Sequence, residues 1–295
     1  MPLHVPVMPA EVLHWLDPKP GQIIVDATLG AGGHTGLLAQ RVSPGGEVLS
    51  LDLDAEMIAR AKPQLAGLPV RTFHAGFDQL REVLDSIGID RVDAVLADLG
   101  VASDQLDDPA RGFSFQSEGP LDMRLDASRG ATAADLVARL PERELADVIW
   151  RYGEERRSRR IAKRIHELRQ ETPITTAKQL ADIVRQCVPR GRDRIDPATR
   201  TFQALRIAVN EEISALEQLL RQLPNCVKPG GRVAIISFHS LEDRPVKRAF
   251  RNAAAWRVLT KKPLTAGEDE VRNNPRSRSA KLRVAERLID AGGKS

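Results

Sequence analysis

The stretch Ile23-Ile24-Val25-Asp26-Ala27-Thr28-Leu29-Gly30-Ala31-Gly32-Gly33-His34-Thr35-Gly36 constrains this chain more than any other part of it. A short β-branched run reads as a buried strand, and a glycine cluster lets the backbone turn sharply and approach a ligand. The small and polar residues that follow open a helix. In an α/β sheet such a turn lines the crevice at the carboxyl end of the first strand, where nucleotides bind. Twenty residues after Gly32 a second apolar run, Glu47-Val48-Leu49-Ser50-Leu51, ends in Asp52, placed to accept hydrogen bonds from a ribose diol. A glycine turn alone fits a plain strand–turn–helix equally well; Asp52 at this spacing is what points to a nucleotide moiety. A dinucleotide fingerprint needs a third glycine where Thr35 stands, and no second mononucleotide half follows. A nicotinamide dehydrogenase is therefore disfavoured.

The alternation of strand and helix continues through Val70–His74 and Val92–Ala97, the latter ending in Asp98. That rhythm implies a doubly wound, mostly parallel sheet of Rossmann-like α/β class. It then breaks, for the next convincing strand, Arg232–Ser237, comes more than a hundred residues later, after the turn Lys228-Pro229-Gly230-Gly231. A crossover helix needs a fraction of that length. Residues 106–200 are accordingly expected to form an inserted helical, substrate-binding domain between core segments 1–105 and 201–295. Its helical periods run over Ala133–Leu140, Glu142–Trp150, Glu154–Arg169 and Ala177–Cys187, with a basic loop at Arg190–Arg194. A single long helix carrying Phe202, Leu205, Val209, Ile213, Leu216 and Leu220 returns to the sheet, and Pro224 ends it. A helix through Phe250 and a loop-like segment over Lys261–Leu282 complete the chain.

The formal net charge of +4 hides an asymmetry. Residues 1–110 hold 7 Lys+Arg against 16 Asp+Glu, a net of −9, whereas residues 244–287 hold 13 against 4, a net of +9. Residues 151–170 hold 8 against 3, a net of +5. An acidic nucleotide half with two basic stretches is the electrostatic footprint of a nucleic-acid partner, although solvated helix faces give a similar count. Arg156, Arg157, Arg160, Lys163 and Arg164 lie mostly off the apolar face of their helix, and Arg276, Arg278 and Lys281 carry the C-terminal charge. Two cysteines without metal-type spacing fit a cytoplasmic setting, and no run is long enough to span a membrane. No metal-ligand cluster is evident.

Asp26-x-x-x-Gly30-x-Gly32-Gly33 looks like the first motif of S-adenosylmethionine-dependent methyltransferases of class I. Asp98 then stands where enzymes that methylate exocyclic amines carry an acidic or amide residue. A cytosine amine is a poor nucleophile because its lone pair is delocalised into the ring. A carboxylate that accepts one of its hydrogens favours the geometry of attack and holds the nitrogen in line. Asp98 fits a strand-end cap as well.

The longer motifs are more specific. Asp98-Leu99-Gly100-Val101-Ala102-Ser103-Asp104-Gln105-Leu106-Asp107 resembles the signature of the bacterial RsmH (MraW) family. So do Gly30–Thr35, Thr201-Phe202-Gln203-Ala204-Leu205-Arg206-Ile207-Ala208-Val209-Asn210 and Ser237-Phe238-His239-Ser240-Leu241-Glu242-Asp243-Arg244. His4–Met8, Met123-Arg124, Tyr152-Gly153-Glu154-Glu155 and Arg276–Lys281 add to the likeness, in the family's order and over nearly the whole chain. Ala102 and Asp104 depart from the Ser and Pro more usual there.

The resemblance implies N4-methylation of a cytidine in 16S ribosomal RNA at the decoding centre, with S-adenosyl-L-methionine as cofactor. The RNA is expected within a small ribosomal subunit or late precursor, and a homodimer is compatible with the family. It implies cofactor contacts from Gly32, Gly33, His34, Asp52, Phe77, Asp98 and Gln105, with Phe77 fitting either an adenine face or a core aromatic. Ser103 and His239 stand behind Asp98 as candidates for the chemistry. Many amino-methyltransferases follow the acidic residue with Pro-Pro-aromatic, which clamps the base; here Leu99-Gly100 follows, so another residue must stack it, with Phe113, Phe115 and Phe238 as candidates. That departure weighs against a DNA amino-methyltransferase. A non-catalytic RNA-binding assembly factor is the alternative from another class, and the intact Asp52 and Asp98 argue against it.

Overall fold

Strands buried on both faces read as continuous apolar runs, and such runs form the middle of one seven-stranded sheet. In the computed structural model, which describes residues 5–189 and 196–289, the strands are β1 (Ile23–Asp26), β2 (Glu47–Asp52), β3 (Val70–His74), β4 (Val92–Asp98), β5 (Val227–Ser237), β6 (Trp256–Val258) and β7 (Lys281–Arg287). Their order is β3-β2-β1-β4-β5-β7-β6, with the first five parallel and β7 antiparallel to both of its neighbours. The strand order reverses between β1 and β4, and in such sheets the crevice beyond the carboxyl ends at that point is the ligand site. The fold is the expected Rossmann-like, doubly wound α/β class.

Alternate residues of each strand supply two cores. Val25, Leu49, Val95, Ala97, Val233 and Ile235 pack with Leu216, Leu219 and Leu223 on one face. Ile24, Val48, Leu96, Ala234 and Ile236 pack with Leu38, Ala39 and Val42 of the helix Gly33–Val42 on the other. This unit comprises Met1–Gly100 and Ile213–Ser295, and Val101–Glu212 forms the second. Among the described residues no helix is long and apolar enough to cross a membrane.

The second unit is helical, with helices Ala133–Arg139, Glu142–Gly153, Ser158–Leu168, Ala177–Cys187 and Thr199–Val209 around a core that includes Leu145, Ile149, Ile161, Ile165, Leu180 and Leu205. Thr132 and Thr176 open two of these helices with reciprocal caps, the Thr132 hydroxyl accepting the Asp135 amide at 3.1 Å and the Thr176 hydroxyl that of Gln179 at 3.2 Å. The helix expected from Glu154 begins only at Ser158, because Glu154 takes a left-handed conformation (φ 50°) that caps the preceding helix. The basic loop Arg190–Arg194 lies outside the described residues.

The structure differs from the sequence reading in three further places. The single helix expected through Phe202 and Leu220 is two, Thr199–Val209 and Glu212–Cys226, because Glu211 at φ 50° interrupts it. Phe202 and Leu205 belong to the helical unit's core and Leu216 and Leu220 to the sheet's, so one unbroken apolar stripe serves two interiors. The turn Lys228–Gly231 sits inside β5 as a bulge, for Val227 pairs with Val92 and Arg232 with Ala94. The segment expected as a loop contains the helix Glu268–Asn273 and leads into β7, the strand that closes the sheet with β6.

Strand β7 is held by a charged tether. The Arg283 guanidinium donates to both oxygens of Asp243, at 2.6 and 3.1 Å, linking β7 to the helix Ser240–Phe250. Arg283 is buried, and the ion pair and hydrogen bond hold the Asp243 carboxyl below its ordinary range despite its burial. Removing one partner of a buried pair strands the other, at a cost of about 3–5 kcal/mol. Asp243→Ala should lower the urea unfolding free energy by about that amount. A change within the error of the extrapolation would show that the pair does not anchor β7.

Candidate cofactor and acceptor site

At the carboxyl end of β1 a fully buried carboxylate sets the local structure. Asp26 accepts a 2.6 Å hydrogen bond from the Thr35 hydroxyl in the first turn of Gly33–Val42, and the amide of Thr28 at 3.2 Å. Ser50 Oγ on β2 lies 3.0 Å from Thr35 Oγ1. With Asp26 charged, the single Thr35 proton goes to it, so Ser50 is the donor to Thr35. Burial outweighs these bonds and pushes Asp26 up to about 7. Thr35 occupies the position of the third glycine in a dinucleotide fingerprint, and here its hydroxyl ties helix to strand.

Asp52 ends β2 beside the glycine turn. Its Oδ2 accepts the Gly30 amide and its Oδ1 the Asp54 amide, both at 2.8 Å. Each oxygen keeps a second lone pair, so the backbone fixes the carboxylate plane without exhausting its acceptors. Burial again dominates and raises Asp52 to about 6. Gly32 is left-handed (φ 83°), and a Cβ there would meet Gln64 Nε2 at 3.0 Å and Ala61 Cβ at 3.2 Å; at Gly33 it would meet Pro6 Cδ at 3.0 Å. These two glycines admit close approach by the chain's own neighbours. Phe77 opens a short 3-10 turn after β3, half-buried against the core.

Asp98 ends β4, and its amide donates to the Thr28 hydroxyl at 2.6 Å, joining the tips of β1 and β4 where the strand order reverses. His34 Nε2 lies 3.7 Å from Asp98 Oδ2. The other oxygen, Oδ1, is buried and has no hydrogen-bond partner among the described residues. Burial first, then the charges of Asp26 and Glu242, push the Asp98 carboxyl well above its ordinary range. A buried acceptor left without a donor costs about 1–3 kcal/mol, more when charged, so this oxygen is poised for a donor that the described residues do not supply. Glu242 Oε2 accepts the amides of Phe238 and His239 at 2.7 and 3.2 Å, and His239 Nε2 lies 3.0 Å from Glu242 Oε1.

The remaining candidates occupy other places. Gln105 belongs to the helical unit, where its side-chain oxygen accepts the Ala102 amide at 2.9 Å, and Ser103 is the first residue of the same short helix, Ser103–Asp107. Arg156, Arg157, Arg160 and Lys163 are exposed on and just before the helix Ser158–Leu168, with Arg164 half-buried; Lys163 and Arg164 approach Glu167 at 3.9 and 3.6 Å. Arg278 is exposed, Arg276 is half-buried, and Lys281 starts β7 opposite Ser237. Thr28, Thr35, Ser50 and Glu242 went unnoticed as site residues. For Thr28 and Ser50 the signal is a polar side chain within or just beyond an apolar strand, as in Val48-Leu49-Ser50-Leu51.

A parallel sheet with strand order 3-2-1-4-5, acidic side chains at the tips of three adjacent strands and a carboxylate oxygen awaiting a donor define a Rossmann-like protein with a nucleotide-type crevice. The chain belongs to the MraW methylase family, which matches residues 1–288. It is 53% identical over 288 residues to the ribosomal RNA small subunit methyltransferase H of Sorangium cellulosum, spanning 97% of this chain and 91% of that protein. It is 50% identical over 308 residues to the protein of the same name from Pelobacter propionicus, and 48% over 307 residues to that of a Geobacter species, with 97% of this chain and 98% of each relative covered. The chain is an S-adenosylmethionine-dependent methyltransferase.

Cofactor affinity should depend on pH through Asp52. Ribose hydroxyls donate to the ionised carboxylate, so bound cofactor favours the charged form, and protonation below about 6 weakens binding. The loss of a hydrogen bond to a charged group, about 1.5–3 kcal/mol, corresponds to roughly ten- to a hundredfold in affinity. Calorimetric titration with S-adenosylmethionine should show that decline as pH falls through about 6, and Asp52→Asn should bind weakly with that decline flattened. An unchanged affinity and profile in the variant would remove Asp52 from the ribose.

Proposed function

We propose that this methyltransferase acts on the exocyclic N4 amine of a cytidine in 16S ribosomal RNA, at the decoding centre. The buried Oδ1 of Asp98, without a hydrogen-bond partner among the described residues, carries the reading. Such an oxygen accepts one amine hydrogen, draws the nitrogen lone pair out of conjugation and fixes the direction of attack. S-adenosylmethionine supplies, when bound, an electrophilic methyl group on a positively charged sulfonium. Positive charge near Asp98 opposes the push from Asp26 and Glu242 and favours its ionised form. Both cysteines are buried and burial raises their thiols, which suits attack by an amine better than a mechanism needing a thiolate nucleophile.

Asp52 holds the ribose hydroxyls, Phe77 lies beside the adenine, and Gly32, Gly33, His34, Asp98 and Gln105 complete the cofactor contacts. Ser103 and His239 are secondary candidates for contact with the amine. His239 is already beside Glu242, which favours a role in holding the start of its helix. Arg156, Arg157, Arg160, Lys163 and Arg164, with Arg276, Arg278 and Lys281, hold the RNA backbone; exposure of most of these side chains suits phosphate contacts. The names of the relatives support ribosomal RNA as the substrate. The RNA is met within a small subunit or late precursor in the cytoplasm, and the enzyme works as a monomer or homodimer.

Asp98→Asn keeps the size of the side chain and removes its charge. Single-turnover methyl transfer at saturating cofactor should fall about 10²–10³-fold, while RNA affinity stays the same. The wild-type rate should rise with pH as Asp98 ionises, and the variant should lose that limb. A saturated rate within a few-fold of wild type would leave Asp98 a cofactor contact or strand cap.

Neutralising Arg156, Arg157 and Arg160 together should weaken RNA binding and lower its salt slope by up to about three phosphate contacts, with cofactor affinity unchanged. Wild-type RNA binding at every salt concentration would make that surface a solvated face only.

A further inference from the structure

The acceptor base needs a flat apolar surface beside Asp98, and β4 supplies none, because Leu99 is buried and Gly100 has no side chain. We propose that the ring of Phe238, at the end of the neighbouring strand β5, is the surface on which the acceptor heterocycle stacks while its amine meets Asp98. The proposal rests on the reaction proposed above and names the residue that positions the base.

Register places Asp98 two residues short of Phe238 along the neighbouring strand. Asp98 pairs with Ile236 across β4 and β5, and the Leu99 amide donates to the Ile236 carbonyl at 3.0 Å. Leu96 and Ile236 point to the same face of the sheet, and residues two further along, Asp98 and Phe238, follow them. Phe238 packs half-buried at the rim of that core, so part of its ring stays open. Gly100 fixes where the ring lies. Its φ of 111° is a conformation that side chains rarely adopt, and a Cβ there would sit 3.3 Å from Phe238 Cδ2 and 3.7 Å from Cε2. The ring thus lies close against the backbone at Gly100, where a larger residue would crowd it. The Phe238 and His239 amides both donate to Glu242, which holds the turn carrying the ring.

The other two aromatic candidates are already engaged in the helical unit. Phe113 is buried in its core beneath the Arg111 guanidinium, 5.9 Å from the ring centre. Phe115 packs edge-to-face on Phe202 at 5.8 Å and lies under Arg185. Phe113 thus has no exposed face, and Phe115 already meets a ring and a guanidinium.

Base–aromatic stacking is lost when the ring is replaced by an aliphatic side chain and retained when another ring replaces it. Phe238→Leu should lower methyl transfer to small ribosomal subunits about ten- to a hundredfold at saturating cofactor. Phe238→Tyr should stay within a few-fold of wild type. S-adenosylmethionine affinity by calorimetry and urea unfolding should match wild type in both, and Phe238→Leu should show its loss in subunit affinity measured without cofactor as well as in rate. Wild-type transfer and subunit affinity in Phe238→Leu would overturn the proposal. So would equal losses in the Leu and Tyr variants accompanied by lowered unfolding stability, which would make the ring a packing element. If the wild-type enzyme places its methyl on a nucleoside other than cytidine, the reaction proposed above fails. The contrast between Leu and Tyr on that product would still support the stacking surface, and its absence would overturn it.

Discussion

The buried hydrogen bond between Thr35 and Asp26 is the constraint on which the site depends. A carboxylate at the end of a central strand with no charged partner is costly, and the hydroxyls of Thr35 and Ser50 with the Thr28 amide are what make it tolerable. Those bonds position the first turn of the helix Gly33–Val42 over β1 and β2. That turn carries His34 to within 3.7 Å of Asp98, and the same β1 tip presents Thr28 to the Asp98 amide. One buried carboxylate therefore organises the glycine turn and the end of β4 together.

The electrostatics of the crevice follow from this arrangement. Asp26, Asp52 and Asp98 all sit above their ordinary range, with burial the first cause in each. They differ in what satisfies them. Asp26 is bonded by side chains and backbone, Asp52 by two backbone amides, and one oxygen of Asp98 by nothing among the described residues. The gradient runs from a structural carboxylate, through one with lone pairs to share, to one that awaits a donor. A cationic ligand suits this set, because it relieves the mutual repulsion of the carboxylates.

Much of this was legible in the sequence because strand-buried runs and glycine turns leave strong local patterns. Asp26, Asp52 and Asp98 each end an apolar run, so their place at the strand tips needed only the period of the chain. What escaped was non-local. Strand β7 was hidden because its inner face carries Arg283, whose charge is answered by Asp243 from a different element. The two helices around Glu211 read as one because both continue an apolar stripe, and nothing local reveals that each half fills a different core. Thr35 looked like a missing glycine until Asp26 gave its hydroxyl a partner. Phe238, Phe113 and Phe115 were equivalent by composition, and only burial and neighbours separate them.

The role of Asp98 is tested most directly by where the methyl group goes. Small ribosomal subunits lacking their modifications, incubated with the enzyme and S-adenosylmethionine carrying a labelled methyl, can be digested to nucleosides and separated. The label is expected in N4-methylcytidine, the product of an amine directed by a carboxylate. Label in a carbon-methylated cytidine, in another nucleoside or in ribosomal protein would contradict that role.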